Sequence, residues 1–387
     1  MGAHEDSRHN APSHFSKHST MLGGLSPENF LARYWHKKPL LIRQALPGFN
    51  GLLSPDDLIQ LAGEEEVESR LVSRSQEIWK LAHGPFAPKT FSRLAKKNWT
   101  LLVQSVDHRL DAGAALLARF DFIPHARLDD LMVSYAVPGG GVGPHFDSYD
   151  VFLLQGMGRR RWRISAQRDM EFLPDVPLRI LRRFEAEQEW VLEPGDMLYL
   201  PPHYAHDGIA EDACMTYSIG FRAPSAQELA VGFLDWLHEH LDLPGRYADP
   251  ALRLQRHPGQ LSDDLIAQVS TMLESIRWTE DDVARFAGSW FSEPKPTVFF
   301  EPPAHPPGLA IFTRRLAHTG IKLDRRSRLL FSGRRFFCNG EEVLAPPRAS
   351  TVLRSLADSR RLGPGDYPQA LAELLHNWYE AGWVQWE

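Results

Sequence analysis

Cysteine is scarce in this sequence, since Cys214 and Cys338 are the only two among 387 residues. Two cysteines exclude a disulfide framework, argue against a cysteine-rich zinc site and fit a reducing, cytoplasmic environment. No stretch of about eighteen apolar residues occurs, so no transmembrane helix is predicted. The formal net charge of −6 gives no reason to expect nucleic acid as the main partner.

The N-terminus lacks the apolar core of a secretory signal peptide. Residues 1–20 are polar and contain histidines at positions 4, 9, 14 and 18. We expect a disordered leader or expression scar over residues 1–24, and not a metal site.

The rest of the sequence is long enough for two or three domains and, at 43% hydrophobic residues, can bury a large core. Two helix starts open it, Ser26-Pro27 and Ser54-Pro55, in which a capping serine precedes proline. From residue 130 onward, short apolar segments alternate with Gly/Pro turns, which is typical of a β-sandwich or barrel. We therefore predict an α+β chain with a barrel domain over residues 25–224.

Two further regions follow the barrel. Apolar side chains recur at helical spacing in residues 225–296, which predicts a helical segment whose stripes serve as core or as the interface of a homodimer. Residues 297–387 combine helices with a hairpin that precedes an Asn339-Gly340 turn, which predicts a winged-helix-like domain. Its arginines are interleaved with acids, so we expect a solvated face and no direct reading of nucleic acid.

A histidine and a carboxylate stand two positions apart in residues 138–147, PGGGVGPHFD. Residues i and i+2 of a strand share a face, so His145 and Asp147 can point together into a barrel. They make up two-thirds of the 2-His-1-carboxylate triad that binds non-haem Fe(II). On its own, such a pair is weak evidence.

The third ligand comes from residues 193–206, EPGDMLYLPPHYAH. Gly195, Pro201 and His206 have the spacing of the second cupin motif, which brings a distal histidine beside the first pair. His203 is a rival ligand three residues earlier, but the motif favours His206. Together the two motifs predict a jelly-roll (cupin) domain with Fe(II) on His145, Asp147 and His206.

In a strand, alternate residues point to opposite faces, and this alternation divides the arginines of residues 159–163 between two faces. Arg160 shares a face with Trp162 and Ile164, which is the core side. A buried arginine needs a partner, and a bidentate carboxylate suits it, so we predict that Arg160 binds the far carboxylate of 2-oxoglutarate. Ser134 faces inward by the same parity and is placed to assist. An internal salt bridge is the alternative.

Two more inward-facing residues concern the substrate. Asp130 keeps parity with Ser134, and Tyr149 keeps parity with the metal-ligand pair. An acid and an aromatic ring suit a cationic, planar side chain such as arginine. Asp130 is equally suited to capping a turn.

Four segments of the sequence resemble those of a known family. Residues 30–41, 137–147, 149–162 and 193–206 are similar to the JmjC-type ribosomal oxygenases, and the PGGGVGPHFD and QGMGRRRWR stretches to their bacterial branch. His203 departs from the family pattern, in which we expect a small residue such as glycine.

The resemblance implies a JmjC jelly roll, a helical dimerisation segment and a C-terminal winged-helix domain that does not read DNA. It also implies C3-hydroxylation of an arginine in ribosomal protein L sixteen of the large subunit, with O2 consumed and succinate and CO2 released. By position it implies iron on His145, Asp147 and His206, 2-oxoglutarate on Arg160 and Ser134, and a substrate pocket lined by Asp130, Met132 and Tyr149.

Three alternatives stay open. The same site suits hydroxylation of a histidine in another ribosomal protein, and a metal-binding cupin can be a non-redox enzyme such as an isomerase. A cupin with a winged helix can also be a ligand-sensing regulator. That reading expects a strongly basic recognition helix, whereas residues 367–381 carry only Glu373 and Glu380 as formal charges.

Overall fold

The computed structural model describes residues 21–76 and 78–387, and it divides into two units, one ending at Ala223 and one running from Pro224 to Glu387. Residues 1–20 of the expected leader lie outside the described residues. The leader cannot extend to residue 24, because Met21 and Leu22 are fully buried in the core of the first unit. Within the described part, no helix is both long and apolar enough to span a membrane.

Two helices of the first unit begin at capped prolines, as predicted. Ser26 and Ser54 are their N-caps, and the Ser54 hydroxyl and Asp57 carboxylate form a reciprocal capping box. The α-helices described in this unit are α1 (Pro27–Arg33), α2 (Pro55–Leu61), α3 (Pro88–Phe91) and α4 (Asp111–Leu117).

Antiparallel strands form the two sheets of the first unit. These strands are β1 (Leu40–Ile42), β2 (Ser69–Ser75), β3 (Ile78–His83), β4 (Trp99–Val103), β5 (Leu128–Ala136), β6 (Val151–Gln155), β7 (Arg160–Ser165), β8 (Gln188–Leu192), β9 (Met197–Leu200), β10 (Ala205–Ala210) and β11 (Cys214–Phe221). The larger sheet has the order β1-β9-β6-β11-β5-β4-β2-β3, and the smaller has the order β10-β7-β8. The predicted jelly roll is confirmed.

Strand β11 shows how the larger sheet separates two environments. Its large apolar residues, Met215, Tyr217, Ile219 and Phe221, belong to the core that the N-terminal helices cover. The alternating residues are small or polar and face the other side, which is the barrel interior. In that core the ring of Phe30 lies 4.9 Å from the ring of Tyr199, and burying such a side chain contributes about 1.5–3 kcal/mol. The helices thus stabilise the sheet from outside and leave its inner face for the site.

The second unit consists of helices and two small sheets. Its helices are α5 (Ala226–His240), α6 (Asp263–Leu273), α7 (Glu280–Ser292), α8 (Leu309–Leu316), α9 (Ser350–Ser359) and α10 (Gln369–Glu380). Its strands are β12 (Ile321–Leu323), β13 (Leu329–Ser332), β14 (Arg335–Cys338), β15 (Glu341–Leu344), β16 (Arg361–Leu362) and β17 (Val384–Trp386). The order β13-β14-β15 contains the predicted hairpin and the turn at Asn339-Gly340. Pro368 is the N-cap of α10, which begins at Gln369.

Candidate metal and cosubstrate site

The three side chains predicted to hold iron lie together. Ligand atoms of His145, Asp147 and His206 all lie within 4.8 Å of one another. His206 Nε2 is 3.6 Å from Asp147 Oδ2, and the two imidazole centroids are 4.2 Å apart. Across residues 21–76 and 78–387, no other group of three His, Cys, Asp or Glu side chains has this spacing. Two imidazoles and one carboxylate are the donor set that suits non-haem Fe(II) with open positions.

Both imidazoles are oriented by backbone carbonyls. His145 Nδ1 lies 2.9 Å from the carbonyl oxygen of Gly143, and His206 Nδ1 lies 2.9 Å from that of Tyr204. Because a carbonyl only accepts, Nδ1 donates in each ring, and Nε2 is left as the basic nitrogen. Burial first, and then the charge of His145, lowers the pKa of His206 to about 4. The ring is therefore neutral at pH 7, which is the form that binds a metal.

The glycine-rich loop lets the backbone approach closely just before the first ligand. A Cβ at Gly140 would lie 2.2 Å from the carbonyl oxygen of Trp99, so no larger residue fits there. Gly143 has φ of 81°, the left-handed region that favours glycine, and this turns its carbonyl toward His145. The loop sequence thus sets the orientation of the first imidazole.

His203 does not join the metal-binding group. Its side chain is exposed, and its N–H donates to the carbonyl oxygen of Asp147 at 2.7 Å. His203 also has φ of 61°, a conformation that favours glycine, which accounts for the small residue expected at this position. The backbone of His203 supports the ligand Asp147, while its ring points elsewhere.

Arg160 is buried, with 5% of its surface exposed. Its Nη1 donates to Ser134 Oγ at 3.2 Å, while Nε and Nη2 are buried without a hydrogen-bond partner among the described residues. No described carboxylate pairs with Arg160, so the alternative of an internal salt bridge has no support. Unsatisfied buried donors of a cation are costly, and an anionic carboxylate of a small molecule would satisfy them. The pocket therefore fits the far carboxylate of 2-oxoglutarate.

The neighbouring arginines point outward, as strand parity predicted. Arg159 Nε donates to Asp212 Oδ2 at 3.0 Å, and Arg161 Nε donates to Glu211 Oε1 at 2.6 Å. Both arginine side chains are substantially exposed, so these pairs contribute little to stability. Arg160 alone of the three faces the barrel interior.

Asp130 and Tyr149, the predicted substrate residues, both lie close to Gly220. A Cβ at Gly220 would be 4.0 Å from both Asp130 Oδ1 and Tyr149 Cε2. Asp130 Oδ2 also accepts from the N–H and hydroxyl of Ser105, both at 3.0 Å, so the turn-capping reading of Asp130 holds as well. Met132, on the same strand face as Asp130, is half-buried.

Several inner-face residues were missed from sequence. Thr100, Gln155 and Thr216 are fully or almost fully buried polar residues, and the Thr216 hydroxyl donates to Gln155 Oε1 at 3.1 Å. Alternation along residues 215–221 would have found Thr216. It would not have found Thr100, because every residue of β4 is buried and no alternation is visible.

Family models match most of the region around this site and the C-terminal unit. A JmjC domain model matches residues 115–229, and a ROXA-like winged-helix model matches residues 275–385. A model of the AraC-like ligand-binding domain matches residues 184–275.

The ribosomal protein uL16 3-hydroxylase of Escherichia coli strain K12 is 37% identical over 349 residues, which span 89% of this chain and 92% of that protein. The chain belongs to the JmjC-type ribosomal oxygenases. A probable ribosomal oxygenase of Haemophilus influenzae is 41% identical over 257 residues, 64% of this chain and 63% of that protein. The resemblance inferred from sequence is thus confirmed.

Solved structures of such ribosomal oxygenases share the fold. Escherichia coli YcfD in complex with cobalt and 2-oxoglutarate superposes with a TM-score of 0.80 at 34% identity, covering 93% of this chain and 98% of that one. YcfD has also been solved with cobalt and succinic acid, with a TM-score of 0.79. This ribosomal oxygenase is accordingly a 2-oxoglutarate-dependent dioxygenase that uses Fe(II) and O2. The predicted jelly roll and winged helix are confirmed as its fold class.

Proposed function

We propose that this oxygenase hydroxylates C3 of an arginine in large-subunit ribosomal protein uL16, the L sixteen of the sequence prediction. Two features together carry the proposal. His145, Asp147 and His206 form a group that can hold a metal ion, and the same barrel contains a buried arginine, Arg160, with unsatisfied donors. The substrate follows from the Escherichia coli relative, which is a uL16 3-hydroxylase and spans nearly the whole chain.

In this proposal the Nε2 atoms of His145 and His206 and the carboxylate of Asp147 hold the iron. When bound, iron, 2-oxoglutarate and O2 supply the oxidation that places one oxygen atom in the substrate C–H bond and the other in succinate, with CO2 released. Arg160 and Ser134 hold the far carboxylate of 2-oxoglutarate and so fix the orientation of its keto end. Apolar interior residues exclude water, which strengthens each of these polar contacts.

The substrate arginine enters beside Asp130, Met132 and Tyr149. Asp130 is buried and supplies negative charge for a guanidinium. Tyr149 is 41% exposed, so its ring is accessible for stacking at the mouth of the site. An acidic group and a phenol ring together favour a planar cation over a neutral imidazole.

Mass spectrometry of ribosomal proteins tests this proposal. In a strain that lacks the gene for this enzyme, we expect an arginine-containing peptide of uL16 to be lighter by the mass of one oxygen atom. Expression of the wild-type enzyme in that strain should restore the mass, and expression of His145→Ala should not. An oxygen missing instead from a histidine peptide of another ribosomal protein would establish the alternative substrate. Ribosomal proteins that are unchanged by the deletion would contradict the proposal.

We also propose that residues 225–296 form a dimerisation segment between the oxygenase domain, residues 25–224, and the winged-helix domain, residues 297–387. Exposed apolar side chains on α5 and α6 support a homodimer, among them Val231, Leu234, Ile266, Val269 and Leu273. Light scattering should report a dimer for the wild type and a monomer for Leu234→Glu. Ile311 is about as exposed as Leu234 but lies outside the segment, so Ile311→Glu should remain a dimer. A ribosomal substrate would place this dimer in the cytoplasm.

A further inference from the structure

The inner face of the barrel is a ladder of residue pairs across β5 and β11. Ser134 lies opposite Thr216, and Ala136 lies opposite Cys214. Directly opposed residues of antiparallel strands point to the same face, and the face occupied by Ser134 is the interior. Cys214 and Ala136 are therefore one step along the ladder from Ser134, at the level where β5 ends.

Ala210 on the smaller sheet completes this level. Ala136, Ala210 and Cys214 form a buried cluster of their own, with no more than 3% of any side chain exposed. Ala210 is the register partner of Arg160, whereas His206 on the same strand is the register partner of Ile164. Four residues of strand separate His206 from Ala210, which is about 13 Å at 3.3 Å per residue. The cluster thus closes the end of the barrel opposite the metal ligands.

Cys214 is the largest of the three floor residues, and the turn behind it packs closely against its Cβ. A Cβ at Gly158, on the turn behind it, would lie 2.8 Å from Cys214 Cβ, so the thiol is backed by close-packed chain. Burial raises the pKa of the Cys214 thiol, although the neighbouring Arg160 charge acts in the opposite direction. A protonated thiol does not neutralise Arg160, whose Nε and Nη2 are buried and unsatisfied within the described residues.

We propose that Cys214, with Ala136 and Ala210, forms the floor of the cosubstrate cavity and sets the length of the dicarboxylate that the enzyme accepts. This rests on the proposed function, because it takes Arg160 as the partner of the far carboxylate. One end of the acid is held at the metal and the other at Arg160. A six-carbon acid such as 2-oxoadipate carries one more methylene and presses its terminal carboxylate into the floor.

Shortening the Cys214 side chain to a methyl group should relax this limit. One extra methylene against a fitted wall changes discrimination by about tenfold or more. We therefore expect Cys214→Ala to shift the ratio of 2-oxoadipate to 2-oxoglutarate affinity by about tenfold toward the longer acid. Cys214→Ser keeps a heavy atom at the γ position and should retain most of the discrimination. Ala210→Val adds bulk to the same floor from the opposite sheet and should weaken 2-oxoglutarate binding by about tenfold.

Calorimetric titration of the manganese(II)-loaded full-length protein with 2-oxoglutarate and with 2-oxoadipate measures both affinities without turnover and so tests the role of Cys214. Cys338→Ala, a buried cysteine of the second unit, is the matched control and should bind both acids as wild type does. An unchanged affinity ratio in folded Cys214→Ala would overturn the proposal, as would unaltered 2-oxoglutarate affinity in Ala210→Val. Equal gains in Cys214→Ser and Cys214→Ala would also overturn it, because volume would not be the cause. Wild-type protein that fails to bind 2-oxoglutarate would instead refute the proposed function.

Discussion

His145 and His206 are joined by their backbones as well as by the position of their rings. The N–H of His145 donates to the carbonyl of His206 at 2.9 Å, and the N–H of His206 donates to the carbonyl of His145 at 2.8 Å. This isolated antiparallel bridge fixes two segments that are far apart in sequence. Since the backbone holds the register, the site is preorganised before any ion binds.

Replacement of one imidazole should therefore remove the metal and spare the fold. We expect His145→Ala to lose stoichiometric Fe(II) binding and all hydroxylation, with circular dichroism and unfolding temperature close to the metal-free wild type. His203→Ala is the matched control, because that exposed ring lies outside the group. Equal iron content in His145→Ala and wild type would contradict the ligand assignment.

Arg160→Ala should act on the cosubstrate. A charge-assisted hydrogen bond contributes about 1.5–3 kcal/mol, so the Kd for 2-oxoglutarate should rise by roughly tenfold to a hundredfold. Arg161→Ala removes the adjacent but outward-facing guanidinium and should leave this Kd unchanged. If Arg160→Ala changed only the KM of the protein substrate, the assignment of its partner would be wrong.

Tyr149→Ala should act on the protein substrate. Loss of stacking between a ring and a guanidinium costs about 0.5–2 kcal/mol, so we expect the KM for uL16 to rise by about twofold to thirtyfold. The Kd for 2-oxoglutarate should not change. Tyr247→Ala, a comparably exposed tyrosine of the second unit, serves as control, and a similar effect there would argue against a specific substrate contact.

Metal binding should stabilise the first unit by mass action. At a free metal concentration of a hundred times Kd, the linkage contribution is about 2.7 kcal/mol. Manganese(II) should therefore raise the unfolding temperature of wild type and not of Asp147→Asn. Asp129→Asn removes the same charge outside the ligand group, and manganese(II) should still raise its unfolding temperature. An equal increase in unfolding temperature for Asp147→Asn would exclude Asp147 as a ligand.

The Tyr199 hydroxyl should contribute measurably to stability. It donates to buried Asp150 Oδ1 at 2.5 Å and accepts from the N–H of His36 at 2.9 Å. Tyr199→Phe leaves both groups short of a partner, and we expect a loss of about 1–3 kcal/mol in urea unfolding. Tyr34→Phe, whose hydroxyl makes no hydrogen bond within the described residues, should cost far less.

Spacing and parity were enough to predict much of the site. The two-residue interval predicted that His145 and Asp147 lie together, and they do, although residues 145–147 form only an isolated bridge at His145 and not a strand. Parity separated inward Arg160 from outward Arg159 and Arg161. Both arguments use only the two-residue period of a strand, which is a local property. Helix starts at capping serines are equally local, and they too were predicted correctly.

Other features depend on contacts between segments that are distant in sequence. Nothing local to Thr100 marks it as an interior position, because its strand is buried on both faces. The burial of Met21 and Leu22 likewise depends on a sheet formed far downstream. Pairing of remote strands decides which neighbours such residues meet, and no periodicity encodes that choice.

The amino-acid sequence by itself thus predicted the candidate site of this protein, with two histidines and an aspartate for a metal and an inward arginine for a carboxylate, and it identified the family. The tertiary structure alone decided that the backbones of His145 and His206 pair with each other, and that Met21 and Leu22 belong to the core. The physical reason is that side-chain identity and strand period are carried locally, whereas convergence on one point requires the register between strands.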